Sequence, residues 1–149
     1  MQITRFSDYA LRVLIHLAYA GDEVRTAREI AAAQGIPFNH LSKAAQWLAG
    51  TGYVHATRGR NGGMTLAREP SGISIGALLR KTEAGSPLVE CFRPDGGACP
   101  LSPACGLAVC LSGAQEAFYS YLDGKTLADV VGAKPGLGRL VEDLHGRDG

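Results

Sequence analysis

The stretch PFNHLSKAAQWLAGTGYVHATRGRNGGMTL, from Pro37 to Leu66, decides the fold. Proline suits the start of a helix, where its missing N–H is no loss. Leu41, Ala44, Ala45 and Leu48 then recur with the spacing of one buried helical face. That spacing predicts a helix from Phe38 to Ala49 whose first exposed residues are Asn39, His40, Ser42 and Lys43, with Gly50 and Gly52 ending it. Tyr53-Val54-His55-Ala56-Thr57 reads as a strand, Arg58-Gly59-Arg60-Asn61-Gly62-Gly63 as its turn, and Met64-Thr65-Leu66 as the return strand.

Upstream, Phe6, Tyr9, Ala10, Val13, Leu14 and Leu17 form the apolar stripe of an amphipathic helix, with Arg5, Asp8, Arg12 and His16 on its polar face. Thr26-Ala27-Arg28-Glu29 has the form of a capping box and opens an Ala-rich second helix that stops near Gly35. Three helices followed by a glycine-rich basic hairpin predict a mainly α fold with a small β wing, a winged helix-turn-helix. In such a fold the N-terminal side chains of the second helix of the turn meet base edges in the major groove. Asn39, His40, Ser42 and Lys43 are the residues so placed. A wing of Arg58, Arg60, Asn61, Gly62 and Gly63 turns tightly enough to reach phosphates or a narrow minor groove. The plain alternative is a small helical domain with an ordinary hairpin.

Charge agrees with the DNA reading without deciding it. The formal net charge is +1, but no acid lies between Glu29 and Glu69, where Lys43, Arg58, Arg60 and Arg68 accompany His40 and His55. A segment free of negative charge is compatible with a phosphate backbone lying against it, although scattered basic residues also make an ordinary solvated face.

Downstream, Ser74 caps a short helix from Ile75 to about Glu83, and the chain then enters ECFRPDGGACPLSPACGL, which holds Cys91, Cys99 and Cys105. Pro94, Pro100, Pro103 and the Gly96-Gly97 pair forbid a regular element there. Three convergent thiols in a loop are what a soft metal centre requires. Beyond them, Leu107, Leu111, Ala114, Phe118 and Tyr121 alternate spacings of four and three, which predicts a long helix with a coiled-coil seam and hence a homodimer reading two half-sites. The competing reading folds that helix back onto its own domain. Cys110, beside the seam, is expected to be a small buried side chain at the dimer contact. Thr126-Leu127-Ala128-Asp129-Val130 closes this region, and the glycine-rich tail from Gly132 is expected to be loose.

The chain of 149 residues, with 46% hydrophobic and 19% charged residues, is of a size for one domain with an appended dimerisation element. The apolar run from Tyr9 to Ala20 is interrupted by Arg12 and His16 and so is not expected to be a signal peptide, and no stretch reaches membrane length. A cytoplasmic protein is expected, in which four cysteines serve as thiols or ligands rather than disulfides. Zinc normally takes tighter cysteine pairs and four protein ligands; it stays open as an alternative, as does a metal-free thiol switch. No grouping of His, Ser and Asp suggests hydrolysis, so no enzyme is expected. The single Trp47 reads as core.

The opening ITRFSDYALR (Ile3 to Arg12), the wing RGRNGG (Arg58 to Gly63) and the three-cysteine loop together resemble the Rrf family of iron–sulfur regulators over roughly residues 1–130. Asp8 in SDYALR and the TLADV segment are most similar to the family's nitric-oxide-sensing repressors, the NsrR type. The resemblance implies a winged-helix DNA-binding domain over 1–84, a cluster-binding loop over 85–105, and a dimerisation helix with its following segment over 106–131, leaving 132–149 as a flexible tail. It further implies that Cys91, Cys99 and Cys105 ligate a [4Fe–4S] cluster (a [2Fe–2S] cluster being the alternative), with Asp8 of the other subunit as fourth ligand. A hard carboxylate on one iron is more exchangeable than a thiolate and would open that iron to nitric oxide. The implied partner is a pseudo-palindromic double-stranded DNA operator. The seven residues between Cys91 and Cys99 resemble instead the spacing of the iron-responsive RirA type, so an iron- or cluster-status-responsive repressor of the RirA or IscR kind is the second reading. Taken without the resemblance, Asp8 is a first-turn acid facing the helix dipole and pairing with Arg12 at i+4.

Overall fold

In a computed structural model, which describes residues 2–57, 59, 62–134 and 136–145, the chain forms seven α-helices, three short 3₁₀ turns and one two-stranded sheet among the described residues. The first three helices are α1 (Arg5–Ala20), α2 (Ala27–Ala33) and α3 (Phe38–Gly50), followed by the antiparallel strands β1 (Val54–Thr57) and β2 (Gly63–Leu66). Then come α4 (Ile75–Thr82), α5 (Gly106–Asp123), α6 (Leu127–Gly132) and α7 (Leu137–His145). This is the expected winged helix-turn-helix.

Local chemistry sets the helix starts. Thr4 caps α1 by accepting from the Ser7 N–H at 3.2 Å. Thr26 and Glu29 form the full capping box of α2, and Thr126 with Asp129 repeats the device on α6. The bonds from the Thr126 backbone N–H and hydroxyl hold the Asp129 carboxyl below its ordinary range. Ala10, Val13, Leu14 and Leu17 of α1 are fully buried against Ile30, Leu41, Ala44 and Leu48 of the next two helices, with Ile73, Leu78 and Leu127 closing the core.

The hairpin pairs Val54 with Leu66 and Thr57 with Gly63. Arg25 adds a short third rung: its N–H reaches the Met64 carbonyl at 3.0 Å, and the Met64 N–H reaches the Arg25 carbonyl at 2.7 Å. Gly63 is therefore part of the pairing and not of an open tip. A Cβ there would stand 2.9 Å from the Arg25 carbonyl oxygen, so packing alone accounts for this glycine.

Two features depart from expectation. His16 is fully buried, because the loop after α2 brings Gln34 over that side of α1, with the Gln34 amide nitrogen 3.4 Å from His16 Nδ1. The segment after Gly132, expected to be loose, contains α7. Its Leu137, Leu140, Val141 and Leu144 recur at helical spacing, and Val141 is buried where α7 meets α1 and α2. Trp47, read as core, packs half-buried against it, between Phe6 (edge-on, 5.8 Å) and Tyr53 (stacked, 6.1 Å).

Candidate DNA interface and sensor loop

Helix α3 presents Asn39, His40 and Lys43 to solvent, with Ser42 half-buried. Its first turn holds no acid, and no side chain caps its start at Pro37. The positive end of the helix dipole is therefore left for an anion. His40 rests on Tyr9 of α1, the ring centroids 6.3 Å apart. Of the wing, Gly62 closes its own turn by donating to the Gly59 carbonyl at 3.0 Å, and Gly59 has φ 116, a conformation that favours glycine. Arg58, Arg60 and Asn61 lie outside the described residues.

The cysteine loop is braced mainly by its own backbone. Short 3₁₀ turns at Glu90–Phe92 and Ser102–Ala104 punctuate it. Glu90 accepts from the Ala98 N–H at 2.9 Å, and Asp95 accepts from the Gly97 N–H at 3.0 Å. Gly97 has φ 61, and a Cβ on it would fall 2.7 Å from the Glu90 carbonyl oxygen. Cys91, Cys99 and Cys105 are free and half-buried; Cys110 is free and exposed in the single chain. Cys105 is also the N-cap of α5, with no side-chain capping hydrogen bond. No three His, Cys, Asp or Glu side chains among the described residues are grouped to hold a single metal ion. Asp8 is on the surface of α1, where its carboxylate pairs with Arg12 at 3.0 Å.

Two polar clusters that the sequence did not signal hold this loop's ends. At its start the buried Glu83 carboxylate accepts from the Thr4 N–H at 2.8 Å, from the Thr4 hydroxyl at 2.9 Å and from the Ser7 hydroxyl. The loop is thereby tied to the first turn of α1, one residue from Asp8. Beyond its other end Arg80 of α4 forks onto Glu116 of α5 at 2.6 and 2.9 Å and reaches Asp123 at 2.9 Å. The Arg80 bonds, with one from Ser120, pull the Glu116 carboxyl down to about 2, and the Arg80 guanidinium is raised in turn.

Helix α5 carries exposed apolar residues in Leu107, Val109 and Tyr121, whereas Phe118 turns inward against the core. The seam expected from spacing is thus split between solvent and the domain. No helix among the described residues is long and apolar enough to cross a membrane.

Residues 3–133 match the family described as "Rrf2: Iron-dependent Transcriptional regulator". The chain belongs to the Rrf2 family. Among relatives, it is 44% identical over 147 residues to the "HTH-type transcriptional regulator NsrR" of Geobacillus kaustophilus, an alignment covering 98% of this chain and 100% of that one. It is 43% identical over 138 residues to the "HTH-type transcriptional repressor NsrR" of Streptomyces coelicolor, covering 91% of this chain and 92% of the other. Among solved structures, the Rrf2 fold seen here is similar to that of CymR, described as the global cysteine regulator of B. subtilis, with TM-score 0.67 and 26% identity over 90% of this chain and 98% of that one. This Rrf2 chain is thus a winged-helix transcriptional regulator.

Proposed function

We propose that the protein is a homodimeric repressor that binds a pseudo-palindromic operator through α3 and the wing, and releases it when nitric oxide attacks a [4Fe–4S] cluster. The observation that carries this reading is the set of three unpaired, half-buried thiols in one self-braced loop that runs into the N-terminus of α5. Their chemistry fits the group: thiolates are the usual ligands of iron–sulfur clusters. Cys91, Cys99 and Cys105 would supply three ligands, and Asp8 of a second copy the fourth. When bound, the cluster supplies iron that reacts with nitric oxide.

The chain's own residues supply the coupling. Asp8 is on α1, whose next residue, Tyr9, supports His40 on α3. Helix α1 is therefore shared by the sensor and the reader. Asp8 engaged by the other copy's loop would hold α1, and with it α3, at one spacing relative to the second recognition helix. Its release would free Asp8 for the Arg12 pair seen in the single chain. Regulation then rests on a difference in DNA affinity between the two states. The exposed apolar residues of α5 support the dimer.

Anaerobic purification, metal and sulfide analysis, and native mass spectrometry before and after stoichiometric nitric oxide test this. About four irons and four sulfides per chain, with nitrosylation and loss of operator binding, are expected. Zinc without sulfide would overturn the cluster, and intact binding after nitrosylation would overturn the signal. A second reading, iron sensing, is favoured by the family's iron-dependent description and by the seven residues between Cys91 and Cys99. It predicts loss of binding on iron chelation with indifference to low nitric oxide.

A further inference from the structure

Phe38, the first residue of α3, keeps 39% of its surface exposed, which is unusual for a large aromatic that could turn inward. The guanidinium of Arg28, on α2, lies over its ring at 4.6 Å. Arg28 has no carboxylate partner among the described residues. The contact joins α2 to the first residue of α3, beside the uncapped, acid-free first turn of α3.

Stacking occupies the face of a guanidinium and leaves its edge, with the N–H fork, free. That fork matches two oxygens of a phosphate. An arginine held by a ring also loses less side-chain freedom on binding than one waving in solvent. In a helix-turn-helix, the helix before the recognition helix crosses the DNA backbone while the recognition helix enters the groove. On that arrangement Arg28 would face the strand that borders the groove, with the Phe38 ring beneath its guanidinium.

We propose that Arg28 and Phe38 form a phosphate clamp: Arg28 grips a backbone phosphate flanking the half-site, and Phe38 is the positioning residue that aims it. This inference rests on α3 being the DNA-reading helix, and it adds a contact on α2 that neither the wing nor the polar face of α3 provides. Because a phosphate carries no sequence information, the clamp strengthens binding to every duplex alike.

The test uses the full-length, anaerobically purified protein and two 30-base-pair duplexes: one selected by the protein from a randomised pool, the other a shuffled version of it. Arg28→Ala is expected to weaken both by roughly tenfold near 0.1 M salt and to reduce the slope of log affinity against log salt by about 0.9, the signature of one lost phosphate. Phe38→Leu keeps an apolar side chain without a π face. It should weaken binding in the wild type and change nothing further in the Arg28→Ala background. Wild-type affinity and slope in Arg28→Ala would overturn the clamp while leaving the DNA reading intact. Equal effects of Phe38→Leu with and without Arg28 would overturn the positioning role. A wild-type protein that selects no duplex would overturn the clamp and the DNA reading together.

Discussion

Tyr9 of α1 and His40 of α3 meet ring against ring, centroids 6.3 Å apart and planes tilted by 48°. Through this contact the residue next to Asp8 touches a residue of α3, the proposed recognition helix. On the proposed cluster-controlled reading, Tyr9→Ala is expected to leave cluster content unchanged and to shrink the ratio of operator affinities between the cluster-bearing and cluster-free forms. Fluorescence-anisotropy titration of both forms measures that ratio. A ratio equal to that of the wild type would show that α1 and α3 communicate by another contact, such as Phe6 against Trp47.

Glu83 anchors the start of the cysteine loop. Its buried carboxylate satisfies the Thr4 N–H, the Thr4 hydroxyl and the Ser7 hydroxyl at once. Glu83→Leu leaves the Thr4 N–H without its acceptor, while the Ser7 hydroxyl keeps Thr82 Oγ1 at 2.7 Å and stays within 3.1 Å of the Thr4 hydroxyl; a buried group left unpaired costs about 1–3 kcal/mol. Urea denaturation should show a lowered midpoint with little change in slope. Ser7→Ala removes a single donor and is expected to cost less. The reverse order would mean that the carboxylate is not the organising group.

Much of the winged domain was legible in the sequence because its signals are local. Apolar spacing marked α1 and α3, and a capping box marked α2. The glycine-rich turn marked the hairpin. His16 was misplaced because its neighbour Gln34 comes from another element, and one helix's own period cannot show what covers its flank. The Glu83 anchor and the Arg80 fork escaped for the same reason: each joins residues tens of positions apart. Helix α7 was hidden by the glycines and proline that precede it, although its leucines and valine carry the helical period. For the candidate site, the thiols were legible as a set, whereas Arg28 over Phe38 was not, since nothing in sequence says that a side chain of α2 reaches the first residue of α3.

Val141 tests whether α7 belongs to the folded domain. It is only 8% exposed, whereas Leu140 beside it is 56% exposed. Val141→Ala is expected to cost about 1–2 kcal/mol through the lost methyl groups and the gap they leave. Leu140→Ala should stay within about 0.5 kcal/mol. Thermal denaturation of the two variants compares them, and equal shifts would argue against a docked α7.

Gly76 sets how closely α4 and α5 approach. A Cβ there would lie 2.3 Å from the Asp123 backbone nitrogen, which no small side-chain motion relieves. Gly76→Ala is expected to destabilise by about 1–3 kcal/mol as an overpacked contact. Gly50, at the end of α3, has open space at its Cβ position. There the same change should be neutral or stabilise by up to about 1 kcal/mol. Urea titrations of both variants measure the contrast, and a tolerated Gly76→Ala would mean the α4–α5 junction is looser than its geometry.

The Arg80 fork across that junction gives a pH dependence of defined sign. Glu116 is held at about 2, below its ordinary 4.5, first by the Arg80 bonds and then by Ser120. A carboxylate depressed in the folded state contributes stability above its unfolded pKa and loses it as pH falls toward the folded value. The contribution is therefore complete above about pH 4.5 and disappears between there and about pH 2. Because Glu116 and Arg80 are solvent-exposed, the effect is expected to be small and to fade with added salt. Glu116→Gln removes the titration, so the melting temperature of the metal-free chain should fall less steeply with acid across that window than in the wild type. Parallel curves for the two proteins would show that the fork does not contribute to acid stability.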